Sequence, residues 1–380
     1  MHKRLVEAQI RARLRETPAV AIVGPRQCGK TTLARSLGGA YFDLEQESER
    51  LRLDVTWPEL IRGREMIVLD EAQAHGSIFP RVRGAIDDAR KRNGRFLLLG
   101  SVAPALMTQV SESLAGRLSL IELTPFLRAE VPTQAARRRH WLVGGYPDGG
   151  LLAPRHFPRW QDDYLALLTQ RDLPTWGLPA RPQVTRRLLH MVCAWNGQTW
   201  NGSRIGQSLG LNYQTVNSYV DYLEGAFLLR RLPPLLANIG KRVVKAPKTY
   251  VRDTGVLHAV LGVTTMPELL AQPWVGASWE GFVLEQILGT LGARGVRHEA
   301  FHFRTSDRYE IDLVLQVGTE RWAIESKLTT DPDARSIARL NRVADMISAE
   351  RRVLISNTPT VVDSGQVLSC DLDTFLKSIG

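Results

Sequence analysis

The stretch AVAIVGPRQCGKTTLARSL, residues 19–37, decides the fold of the first third of the chain. It opens with an uninterrupted apolar run, the pattern of a strand buried on both faces of a parallel sheet. The next eight residues, GPRQCGKT, match G-x-x-x-x-G-K-[ST] and are followed by a predicted helix, the context such a loop requires. Gly24 and Gly29 let the backbone curl until its N–H groups face a phosphate, and the helix adds its positive end. Pro25, Arg26, Gln27, Cys28 and Thr32 complete the expected nucleotide cradle. Lys30 is expected to reach the β- and γ-phosphates, and the Thr31 hydroxyl to hold Mg²⁺. ATP with Mg²⁺ is therefore the expected cofactor pair.

Outward from this loop, strand signals recur at residues 40–44, 66–72, 95–101 and 118–123, with helical segments such as RVRGAIDDARKR between them. The alternation predicts a parallel sheet covered by helices. MIVLDEA delivers Asp70 to the carboxyl end of its strand, where ligands bind in such sheets. Asp70 would hold Mg²⁺ through water and Glu71 would orient the attacking water, so hydrolysis is expected; either acid alone also suits a helix N-cap. Ser101 ends LLLGS within reach of a γ-phosphate, or is a turn serine. Arg117 in SLAGR is placed either as a finger into the nucleotide site of an adjacent subunit of a homo-oligomer, or as a solvated surface arginine.

The pattern changes near Pro132. RRRH, residues 137–140, reads as a connector, and residues 156–236 as mostly helical. Within them SRIGQSLGLNYQTVNSYVDYLEGAFLLRRLPP predicts helix, tight turn, helix. Ile205 and Leu209 stripe the first helix, Gly210 ends it, Asn212 caps the second, and Val216, Val220 and Leu223 stripe that one. Gln214, Thr215, Asn217 and Ser218 are then expected to face outward. FLLRRLPP would begin a wing, with Lys241, Arg242, Lys245 and Lys248 available to phosphates. Such a unit serves equally as a protein-contact module.

YEIDLVLQVGTERWAIESK, residues 309–327, alternates as a β-hairpin. Tyr309, Ile311, Leu313, Leu315 and Val317 are expected on one face. Asp312, Glu325 and Lys327 gather on the other, with Glu310 as a surface neighbour. The polar side of an ordinary sheet carries acids too. A metal-dependent nuclease needs such carboxylates around Mg²⁺ and a group that activates water.

These residues carry resemblances. GPRQCGKTTLA, IVLDEAQ, LLLGS, SLAGR and ELTPF, together with GGYPD, RDL, KRVVKAPKTYVRDTGVLHAVL and WEGFVLEQIL, resemble a bacterial and archaeal family with an AAA-type ATPase domain and a C-terminal DUF4143 region. The D…E-x-K hairpin resembles the restriction-endonuclease-like superfamily, which adds a glutamate from a preceding helix. That likeness implies Glu280, Asp312 and Glu325 as metal ligands and Lys327 as a catalytic group, while Glu285 is expected in solvent. Ile311 stands where the superfamily has proline.

The expected architecture is α/β: a P-loop NTPase parallel sheet over residues 1–135, a helical winged-helix domain over 136–267, and a restriction-endonuclease-like α/β domain over 268–380. A formal net charge of +10 favours nucleic acid as partner. Three dispersed cysteines predict no disulfide framework, and no apolar run reaches membrane-spanning length, so a cytoplasmic location is expected. The reading is an ATP-hydrolysing protein that acts on DNA, with a metal-dependent nuclease-like end. The alternative is a nucleotide-switched DNA- or protein-binding regulator whose nuclease fold is inactive.

Overall fold

The computed structural model describes residues 2–100, 114–236 and 243–379. Five strands form the first sheet: β1 (Ala19–Val23), β2 (Ala40–Asp43), β3 (Ile67–Asp70), β4 (Phe96–Gly100) and β5 (Leu118–Glu122). They lie parallel in the order β2-β3-β4-β1-β5. Every residue of β1 is buried because alternate side chains enter two different cores. Ala19 and Ala21, with Phe96 and Leu98, face the helix Ile78–Asp87. Val20 and Ile22, with Leu97 and Leu99, face the helices Val6–Glu16 and Lys30–Leu37. Each leucine or isoleucine so buried contributes about 1.5–3 kcal/mol. The parallel sheet expected from the sequence is present.

Residues 137–140 are not a connector. They lie inside the helix Gln134–Val143, and His140 is fully buried against Phe282 of the long helix Val275–Ala293. The three arginines read as part of a connector share a helix with Trp141, Leu142 and Val143, which join the C-terminal core.

The helix pair Gly202–Leu209 and Tyr213–Gly225 forms as expected. Gly210 adopts φ 67°, and Asn212 Oδ1 accepts from Thr215 N at 2.8 Å. Asn217, expected outward, instead accepts from Trp200 Nε1 at 2.7 Å. Beside the pair stand β6 (Gln198–Thr199), β7 (Leu229–Leu232) and β8 (Lys248–Val251), antiparallel in the order β6-β8-β7. Lys241 and Arg242 fall outside the described residues.

The C-terminal sheet contains β9 (His298–Arg304), β10 (Glu310–Val317), β11 (Glu320–Ser326), β12 (Arg351–Ile355), β13 (Val362–Asp363) and β14 (Val367–Cys370), in the order β13-β14-β12-β11-β10-β9. The hairpin is β10–β11, but its alternation breaks. The register against β9 shifts between Ile311 and Val314. Ile311 and Val314 therefore pack against the helix Ala334–Met346, while Leu313 and Leu315 face the long helix Val275–Ala293. Ile311 is thus not on the face of Leu313, because a bulge inserts one residue and re-aims the side chains beyond it.

Candidate functional site

At the end of β1 the backbone turns through three left-handed positions, Gly24 (φ 155°), Gln27 (φ 64°) and Gly29 (φ 100°). A Cβ on Gly24 would stand 2.1 Å from the Leu123 carbonyl oxygen, so glycine is required there by space as well as by φ. Cys28 is fully buried, and burial raises its thiol pKa; its carbonyl accepts from Arg4 at 3.0 Å. Pro25 is buried, and Gln27 and Thr32 are exposed. Lys30 Nζ folds back on the loop and donates to the Gly24 and Pro25 carbonyls at 3.0 and 2.9 Å. Thr31 Oγ1 donates to Asp70 Oδ2 at 2.7 Å, so β3 and the loop deliver a hydroxyl and a carboxylate to one point. Hard oxygen donors of this kind fit Mg²⁺.

The same Asp70 oxygen accepts from Tyr41 Oη at 2.6 Å, a contact that sequence reasoning missed. Burial, and then the Asp70 carboxylate, raises the Tyr41 pKa and keeps the phenol a donor. The available signal was position: Tyr41 lies on β2, the strand hydrogen-bonded to β3. Glu71 stands next to Asp70 in a left-handed conformation (φ 46°) and accepts from Gln73. Strain of this kind in a non-glycine residue clusters at functional sites. Arg117 forms a two-pronged ion pair with Asp87 at 2.9 and 3.0 Å, away from this loop's own contacts. Ser101 lies outside the described residues.

In the C-terminal sheet the expected acids converge, and a lysine stands among them. Lys248 Nζ lies 2.8 Å from Glu280 Oε1, 2.7 Å from Glu310 Oε1 and 3.9 Å from Asp312 Oδ1, and its side chain is only 2% exposed. Lys248 is therefore no exposed phosphate contact, and Glu310 is no mere surface neighbour. Tyr250, two residues along β8 and so on the same face, also donates to Glu280 Oε1. Asp312 Oδ2 accepts from Ser326 N and Oγ at 2.9 and 3.1 Å. Lys327 Nζ donates to Glu325 Oε1 at 2.6 Å.

Burial and then Asp312 push the Glu280 carboxyl up to about 7 and the Glu325 carboxyl up to about 8. For Glu310 burial acts the same way but Lys248 outweighs it, and the pKa falls below the ordinary value. Among the described residues no group of three or more His, Cys, Asp or Glu is disposed to hold a metal ion. The expected ligand set of Glu280, Asp312 and Glu325 is thus assembled as neighbours but not as an open coordination sphere. Sequence reasoning missed the role of Lys248. The signal was KTYV, where a lysine and a tyrosine share one face of a strand.

Family models match the chain in three places: an AAA domain over residues 16–131, a domain of unknown function (DUF8612) over 134–267, and a domain of unknown function (DUF4143) over 275–372. The uncharacterized protein Rv2008c of Mycobacterium tuberculosis is 35% identical over 381 aligned positions, covering 97% of this chain and 85% of that one. An uncharacterized protein of Mycobacterium bovis matches to the same extent. The chain belongs to the AAA–DUF4143 family. A crystal structure of protein VC1899 from Vibrio cholerae aligns with 95% of this chain and 96% of its own at 13% identity, with a TM-score of 0.22, too low to carry an argument.

The segments that mark the AAA–DUF4143 resemblance meet beside the phosphate loop. Phe126 N, of ELTPF, donates to Gly145 O at 2.8 Å, and Gly145 N donates to Asp253 Oδ2 at 2.7 Å. Asp253 Oδ1 caps the helix Thr254–Val260 through Val256 N at 3.0 Å, and burial lifts its pKa to about 6. Arg26 of the loop lies 3.1 Å from Asp172 of RDL. Arg252 joins Glu122, at the end of β5, to Glu285 of the long helix, 3.0 Å away. Arg230 also donates to Glu285, which is buried and not solvated as expected. The AAA–DUF4143 chain is an ATPase-type protein whose nucleotide loop touches the segments C-terminal to its sheet.

Proposed function

We propose that this AAA–DUF4143 protein binds and hydrolyses ATP with Mg²⁺ and uses the nucleotide state to act on DNA. The observation that carries the first part is the Thr31–Asp70 hydrogen bond of 2.7 Å beside Lys30. Thr31 and Asp70 would hold the Mg²⁺ that arrives with ATP, and that ion would neutralise phosphate charge. Lys30 would exchange its two loop carbonyls for phosphate oxygens. Glu71 would leave Gln73 to orient the attacking water. Arg117 would serve a neighbouring subunit only by releasing Asp87. In steady-state assays, Lys30→Ala is expected to lower turnover about 100-fold or more; a variant retaining full turnover refutes the assignment.

The DNA reading is supported by the net charge of +10 and by the helix pair at residues 202–225 with its small antiparallel sheet, the parts of a winged helix. Exposed Arg181, Arg186, Arg187 and Arg204 lie on and beside these helices. Binding to duplex DNA should weaken steeply with salt, as counterion release requires; salt-insensitive binding, or none, would assign this unit to a protein partner. The reading includes a cytoplasmic setting, in keeping with three buried, unpaired cysteines.

The C-terminal region is read as nuclease-like, with Glu280, Asp312, Glu325 and Lys327 as its centre. One observation favours a second reading in which that centre does not cut: Lys248 already neutralises it. Plasmid cleavage with Mg²⁺ or Mn²⁺, run beside Glu325→Ala, separates the two. Cleavage lost in the variant means a nuclease; no cleavage by the wild type means a switched binding protein.

A further inference from the structure

We propose that the Lys248 ammonium is a built-in cation that closes the Glu280–Asp312–Glu325 centre to divalent metal ions. Mg²⁺ and Mn²⁺ require several oxygen donors directed at one point, with lone pairs free. Here one oxygen of each carboxylate is already engaged. Glu280 Oε1 accepts from Lys248 at 2.8 Å and also from Tyr250. Asp312 turns Oδ2 to Ser326, and its Oδ1 lies 3.9 Å from the same ammonium. Glu325 Oε1 accepts from Lys327. Glu325 Oε2 is buried without a hydrogen-bond partner, yet among the described residues these acids are not disposed as a metal-holding group.

Lys248 cannot swing aside as a surface lysine would. Its strand β8 is paired on one edge with β6 and on the other with β7, register Leu232↔Lys248 and Thr199↔Lys248. The approach to β8 is held as well. Val244 N donates to Arg304 O at 2.9 Å, and His302 Nε2 lies 3.1 Å from Ala246 O. The cation is thus supplied by a strand outside the C-terminal sheet, on a side chain that is only 2% exposed. A divalent ion at the same point would meet that positive charge at contact distance. The inference concerns charge and coordination alone, and it stands whether or not the chain acts on DNA.

The test is Mn²⁺ binding to the nucleotide-free full-length chain, measured by electron paramagnetic resonance of the free ion and by calorimetry. An Asp70→Asn background removes the ATPase-site acid. This parent is expected to bind no Mn²⁺ in the micromolar range. Adding Lys248→Met is expected to create one site, at least about 10-fold tighter than any parent binding, and Asp312→Asn should abolish it. Two results overturn the proposal: Mn²⁺ binding by the parent that Asp312→Asn removes, or a folded Lys248→Met protein that gains none. Should Lys248→Met not fold, Lys248→Ala/Glu310→Gln removes the ammonium together with one of its acids, and the same two results decide.

Discussion

At the scale of the residue, Asp70 is held by more than the loop it serves. Thr31 and Tyr41 share one of its oxygens, and Glu71 N donates to the other at 2.9 Å. A carboxylate so tethered has one orientation to offer. Tyr41→Phe keeps the ring under Arg35, whose guanidinium sits 4.5 Å from the ring centroid, and removes only the hydroxyl. A hydrogen bond to a charged group is worth about 1.5–3 kcal/mol when shielded, and less at the half-buried Tyr41. The variant is expected to need several-fold more Mg²⁺ for half-maximal ATP turnover while its maximal rate changes little. An unchanged Mg²⁺ titration would make Tyr41 a packing residue only.

At the scale of the element, close backbone approach sets the helix pair. A Cβ on Gly206 would lie 2.5 Å from the Leu211 carbonyl oxygen, in the turn between the two helices. Gly206→Ala is expected to destabilise the protein by about 1–3 kcal/mol in urea unfolding, the range for overpacking, although alanine is the better helix former.

Elements were also where the sequence was most and least informative. The five parallel strands, the turn at Gly210 and the cap at Asn212 were legible, because each rests on local chemistry: apolar runs, a left-handed glycine, a short side chain that accepts a backbone N–H. The bulge between Ile311 and Val314 was not, because one extra residue leaves an alternating sequence looking unbroken. The helix at residues 134–143 was hidden by its arginines. In the acidic centre the partners were legible and the cation was not, because Lys248 lies some thirty residues before Glu280 and meets it only through tertiary pairing.

At the scale of the whole molecule, the buried cluster that contains Phe126, Trp141, Phe282, Leu315 and Phe375 runs from the end of the ATPase sheet to the C-terminal helix Leu372–Ser378. No described helix is long and apolar enough to cross a membrane. His140 lies inside this cluster, and burial, reinforced by the nearby Arg128 guanidinium, pushes its pKa from the ordinary 6.5 down to about 3. As pH falls below 6.5 the unfolded chain takes up a proton that folded His140 refuses, so the folded state loses ground by about 1.4 kcal/mol per pH unit. His140→Leu abolishes that loss. Between pH 7 and pH 5 its unfolding free energy should improve relative to wild type by about 2 kcal/mol. A pH-independent difference would mean that folded His140 takes up its proton as readily as the unfolded chain does.

Glu285 tests the junction itself. Glu285→Ala strands Arg230 and leaves Arg252 with Glu122 alone, and breaking a buried pair in this way costs about 3–5 kcal/mol. A loss below about 1 kcal/mol, the range of exposed pairs, would show the cluster to be hydrated.

Arg252 also limits how such a chain can be recombined. Its carboxylate partners lie one before it and one after, in segments matched by different family models. A hybrid built by grafting the ATPase segment of a relative onto this middle segment inherits Glu122 from one parent and Arg252 from the other. Where the donor lacks an acid at that position, the graft buries a half-paired guanidinium at its seam. These segments are then exchangeable as cassettes only between parents that agree at positions 122, 252 and 285.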